Sequence, residues 1–122
     1  MEDQATGPET AGIQDRAMLA EVKDLGDDIF KELVQLYLQE GPGRLERIRN
    51  GIESGDGALA SQAAHSLKGS SASFGASGLA KLAEKIELAG KDGDLATCKA
   101  VFPEVEAEYE RVRAGLSSEA GL

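Results

Sequence analysis

His65 is the single histidine of this 122-residue chain, and it opens the run His65-Ser66-Leu67-Lys68-Gly69-Ser70-Ser71-Ala72-Ser73-Phe74-Gly75-Ala76. An imidazole titrates near neutral pH and offers a nitrogen lone pair, which makes it the side chain most readily turned into a nucleophile there. At about 100° per residue, Leu59, Ala63, Leu67, Ser70 and Phe74 share an arc of about 80°, the width of a buried stripe. His65 lies about 160° from the centre of that stripe. Its neighbours on the outer face are Ser61, Lys68, Gly69 and Ala72. The ring is expected in solvent, where another macromolecule can reach it.

A histidine alone says little, and the residues around this one say more. Lys68, one turn on, can bring an ammonium to an anion held on the ring, and at Gly69, four on, a larger side chain would crowd that anion. Glycine inside a helix costs about 0.5 to 1 kcal/mol relative to alanine. Its presence beside an exposed histidine points to close approach from outside, the alternative being a second helix of the same fold crossing there. Gly69 to Gly78 is rich in glycine and serine, yet a phosphate-cradling loop needs Gly-Lys-Ser/Thr after the glycines, and here Lys68 precedes them. Glu84 and Glu87 could meet a cation, but two carboxylates without further ligands read more simply as a solvated face.

Helices must position these groups. A short helix from about Gln14 carries Met18, Leu19, Val22 and Leu25, and Gly26-Asp27 ends it and caps the next. In the long second helix Ile29, Leu33, Leu36, Tyr37, Leu45, Ile48 and Ile52 recur at three and four, with a kink expected at Gly41-Pro42-Gly43. Gly55-Asp56 stops it and caps a third helix, which bears His65 and runs to about Phe74. Leu79, Leu82, Ala83, Ile86 and Ala89 mark a fourth helix ending at Gly90. Leu95, Cys98, Phe102, Val105, Tyr109, Val112 and Leu116 mark a fifth, with Pro103 kinking it or starting its longer half. No period-two strand is visible. The expected fold is all-α, an antiparallel four-helix bundle with a short additional N-terminal helix. Residues 1–13 read as a flexible tail, 14–116 as the bundle and 117–122 as a second tail.

Composition narrows the class. With 22 acidic against 13 basic residues the net charge is -9, which argues against a nucleic-acid partner. Cys98, the sole cysteine, excludes an internal disulfide and multi-cysteine metal sites and falls on an apolar stripe. No run approaches a membrane span, and residues 1–16 lack the basic-then-apolar order of a signal peptide, so a cytoplasmic protein is expected.

The run from His65 to Ser71, closing on Gly75-Ala76, resembles the signature of histidine-containing phosphotransfer (HPt) domains. Asp28-Ile29-Phe30-Lys31-Glu32-Leu33 leading to Tyr37-Leu38, the Gly55-Asp56 turn, and Leu79 through Ile86-Glu87 extend the resemblance over about residues 15 to 116. It implies a phosphorelay intermediate. His65 would take a phosphoryl group from a receiver-domain aspartyl phosphate and pass it to another receiver, and Lys68 would position it. Glu87 would orient the ring through its other nitrogen, although read from the residues alone it is an ordinary solvated charge. Lys91 would be a second cation, or simply a lysine answering a helix dipole. Gly69 and Ser70 would belong to the approach surface, with Leu19, Val22, Ile29 and Leu33 as docking positions unless they are core. The implied partners are response-regulator receivers, with a hybrid sensor histidine kinase as a further one, and the chain itself would be a monomer. No ATP site is apparent, no cofactor is expected on this chain, and the magnesium would sit on the receiver. The chain would be a carrier, not an enzyme. Two rivals stay open: the phosphoacceptor domain of a chemotaxis-type kinase, and a docking module that is never phosphorylated.

Overall fold

Three aspartates and the positive-φ glycines Gly26, Gly55, Gly75 and Gly93 mark where the chain turns between helices. The computed structural model describes residues 11–122, as five helices: α1 Arg16–Lys23, α2 Asp27–Ser54, α3 Gly57–Ser73, α4 Ser77–Lys91 and α5 Leu95–Glu119. Asp15, Asp56 and Asp94 each accept a backbone N–H of the first turn of α1, α3 and α5, supplying the partner that a helix start otherwise lacks. The start of α2 differs from expectation. Gly26, not Asp27, occupies its cap position without a side-chain bond, and Asp27 and Asp28 lie in the first turn, where the helix dipole favours acidic groups.

Gly75 shows why a turn needs its glycine. Its φ is +84°, and a Cβ there would run into the Asp15 carbonyl. The Gly75 carbonyl in turn accepts from the N–H groups of Gln14 and Asp15 at 3.1 and 2.9 Å, which lashes the start of α1 to the α3–α4 turn. Helices α2 to α5 close into a bundle in which α3 touches α2 and α4, α4 touches α5, and α5 returns to α2. Short turns between long helices make such neighbours antiparallel. Helix α1 lies against α2 and α3.

The α5 stripe is buried as expected from Cys98 through Leu116, joined by Val101 and Gly115. Pro42 and Pro103 lie inside helices that run on as single elements. Gly41, one residue before Pro42, has a second role: a Cβ there would overlap the Tyr109 hydroxyl. Edge-on contacts link Tyr37 to Phe74 at 5.4 Å and Phe30 to Phe74 at 6.4 Å, so the aromatics knit α2 to the end of α3.

In α2 the buried residues are Phe30, Val34, Tyr37 and Ile48, with Gly41 and Gly51, whereas Ile29, Leu33 and Leu36 are exposed. The helix carries two apolar stripes one residue out of phase, and the outer one, with Ile29 and Leu33 of the expected docking positions, stays at the surface. The expected tails also need revision. Ile13 is buried, and the Ala11 carbonyl lies where a Gly115 Cβ would be, so residues 11–13 pack on α5. Residues 1–10 of that expected tail lie outside the described residues. At the other end α5 continues to Glu119, whose carboxylate meets Lys23 at 2.7 Å and Arg16 at 3.4 Å.

Candidate functional site

Helix α3 is covered on two sides, by α2 and by α4, and this decides which of its side chains remain outside. Ala60, Ala63, Ala64 and Leu67 are buried. Ser61 is also buried, at 5% exposure, and is not the outer-face neighbour expected from a single stripe, because α4 packs over that flank. The His65 side chain, by contrast, is 67% exposed. It shares a hollow of about 440 Å³ with Gln62, Ser66, Glu87 and Lys91.

Glu87, on α4, reaches across to the ring. Its Oε2 lies 2.8 Å from His65 Nδ1, and its side chain is only 7% exposed, which removes the reading of a freely solvated charge. The Lys68 ammonium sits 2.7 Å from the other oxygen, Oε1, and 3.8 Å from Glu84. Lys91, the last residue of α4, is 3.9 Å from Oε2. The Lys68 ammonium, together with the His65 ring and against the opposing effect of burial, holds the Glu87 carboxyl below its ordinary value of 4.5. Contact with Glu87 in turn raises the Lys68 ammonium above 10.5. An ionised carboxylate can only accept, so the ring nitrogen facing it carries the hydrogen. In the neutral imidazole, Nδ1 then donates to Glu87 and Nε2 keeps its lone pair.

A Cβ on Gly69 would meet nothing within 4 Å, so no helix of the bundle crosses there. Ser70 is half-buried and bonds Ser66 O at 2.9 Å. With Ser73, Phe74, Tyr37 and Arg44 it lines a groove of about 350 Å³ whose apolar wall is Val22, Leu25, Leu33 and Leu36. Ile29, also placed among the docking positions, is 49% exposed, but Leu19 is 1% exposed. Leu19 is therefore core, pointing under α1, and is withdrawn as a docking residue. Leu25 and Leu36, at 55% and 48% exposure, are surface positions beyond the expected docking residues. For Leu36 the signal is the doubled stripe of α2. The contacts of Ser61 with the Glu87 carbonyl and of Glu84 with Lys68 depend on how α3 and α4 cross.

Among the described residues no helix is long and apolar enough to cross a membrane, and no group of three His, Cys, Asp or Glu residues could hold a metal ion. The Hpt domain family matches residues 32–115. The crystal structure of histidine-containing phosphotransfer protein B (HptB) from Pseudomonas aeruginosa PAO1 is similar over 90% of this chain and 95% of that one, with a TM-score of 0.84 and 26% identity. Comparison with curated protein sequences gives no match. The chain belongs to the Hpt domain family. It is a phosphotransfer protein of the phosphorelay type, a phosphoryl carrier, and Hpt domains typically interact with receiver domains.

Proposed function

We propose that this chain accepts a phosphoryl group on His65 Nε2 from an aspartyl phosphate of one receiver domain and passes it to the aspartate of another. The observation that carries the reading is the Glu87 carboxylate 2.8 Å from Nδ1 of an exposed ring. The Nε2 lone pair attacks phosphorus, the bond from phosphorus to the aspartyl oxygen breaks, and the carboxylate leaves with that electron pair. The ring keeps its Nδ1 hydrogen and gains positive charge, which Glu87 offsets from the far side. The reverse sequence returns the phosphoryl group to a carboxylate. Lys68, 29% exposed beside the ring, supplies a cation for the roughly two negative charges that arrive. Lys91 is a second cation at the rim.

The groove beside Ser70 and Ser73 receives the partner. Leu25, Leu33 and Leu36, with Val22, offer it an apolar surface, and exposed apolar patches of this kind mark docking sites. The open space over Gly69 lets the partner approach the ring. The reading places the chain in the cytoplasm, as a monomer, alongside response-regulator receivers and a hybrid sensor kinase.

The test is incubation with a phosphorylated receiver domain and, separately, with a kinase domain and ATP. Rapid labelling of His65 in the first mixture only is the expected result. Labelling by the kinase domain alone would assign the chain to a chemotaxis-type kinase, and none in either would leave a docking module.

A further inference from the structure

Ser61 lies one turn before His65 on α3, and its hydroxyl donates to the backbone carbonyl of Glu87 at 2.9 Å. One helix thus carries both the imidazole and a clamp on the residue of α4 that holds it. The two helices are close enough for this because glycines face one another below the clamp. A Cβ on Gly90 would stand 2.6 Å from the Gly57 carbonyl and 3.1 Å from Ser61 Cβ, and one on Gly57 would overlap the Gly90 carbonyl. Glu87 lies inside α4, where backbone N–H groups already serve the carbonyls. The hydroxyl therefore adds registry between α3 and α4, not satisfaction of an orphan acceptor.

The position matters because the bond that orients the ring crosses between the same helices. His65 is on α3 and Glu87 on α4, so any sliding of one helix along the other changes the distance from Nδ1 to Oε2. A hydrogen bond weakens steeply with misalignment. We propose that Ser61 is a positioning residue for phosphotransfer, fixing the α4 backbone at Glu87 so that its carboxylate keeps the Nδ1-protonated form of His65. The proposal rests on His65 being the phosphoacceptor. The Ser61 hydroxyl is engaged with the Glu87 carbonyl, and Ser61 acts through Glu87.

Ser61→Ala removes the hydroxyl without adding bulk, and alanine is the better helix former, so the variant should fold. Ring nitrogen-15 shifts of His65 report the tautomer without any phosphoryl donor, and this arm stands apart from the relay reading. Phosphoramidate, a small phosphoryl donor, then measures acceptance on the ring. Ser61→Ala should move the ring shifts toward a mixture of tautomers and slow acceptance about five-fold, the size of one hydrogen bond. In a Glu87→Ala background the same change should alter neither quantity further. Wild-type ring shifts in folded Ser61→Ala, or an equal slowing in the Glu87→Ala background, would overturn the proposal. If wild-type protein took no phosphate on His65, the relay reading would fail while the nitrogen shifts still judged the clamp.

Discussion

Glu87 faces His65 across 2.8 Å although 22 positions separate them in the chain, and it does so with one oxygen while the other meets Lys68. A single carboxylate therefore sets the ring's tautomer and holds the nearby cation. Glu87→Gln should keep an acceptor for Nδ1–H but lose the charge that steadies a phosphorylated ring, whereas Glu87→Ala loses both. Acceptance by His65 should fall in the order wild type, Gln, Ala, with the Ala variant slower by about 10- to 100-fold. Stopped-time phosphorylation assays measure the order, and an Ala variant as fast as wild type would return Glu87 to a structural role.

The same triangle makes a pH prediction. The Glu87 pKa is depressed in the folded protein, so its contribution to stability is present above the ordinary value of 4.5 and is lost as pH falls through the folded value. Lys68→Met removes the largest cause of the depression and leaves burial, which acts the other way, against the His65 ring alone. The Glu87 carboxyl should then titrate at higher pH than in wild type, and the share of acid destabilisation that Glu87 causes should shrink. Carbon-13 titration of that carboxyl, with melting curves across the acid range, checks both. For Lys68 the sign is reversed: its pKa is raised, so its share is present below 10.5 and lost as pH rises through the folded value.

The helices that carry this triangle were legible in the sequence because caps and turns are local. Asp56 and Asp94 cap as their positions suggest, and the α5 stripe repeats at a spacing that only one face can bury. What periodicity could not resolve was α2, where Ile29-Leu33-Leu36 and Phe30-Val34-Tyr37 run side by side with equal hydrophobic strength. Only packing against Phe74 and Tyr109 tells which stripe faces inward. The site divides similarly. His65, Lys68 and Gly69 share one helix and are readable by spacing, but the burial of Glu87 and the bond from Ser61 arise from the crossing of two helices, which no local pattern encodes.

Gly69 should separate docking from stability. Gly69→Gln replaces a poor helix former at a position with open space around it, so the domain should gain about 0.5 to 1 kcal/mol. Transfer from a receiver should slow, because the new side chain projects beside His65 where a partner must land. Thermal melting and transfer rates from the same preparation decide the matter. If the melt falls, the reading of open space is wrong.

Leu36 and Leu19 should respond in opposite ways. Leu36 is 48% exposed in the groove and Leu19 is 1% exposed beneath α1. Leu36→Glu should leave stability within about 0.5 kcal/mol and weaken receiver binding about ten-fold or more. Leu19→Ala should cost about 2 to 5 kcal/mol. Chemical denaturation and titration calorimetry with a receiver domain measure the pair, and undiminished binding by Leu36→Glu would move the docking face elsewhere.

The position of the phosphoryl group tests the central claim most directly. Phosphorus-31 and proton spectra of the chain after transfer from a phosphorylated receiver should show one acid-labile phosphoryl group on Nε2 of His65. The His65→Gln variant should fold normally and show none, because the ring it replaces is 67% exposed. A phosphoryl group on Nδ1, or on any other residue of a folded His65→Gln variant, would contradict the account.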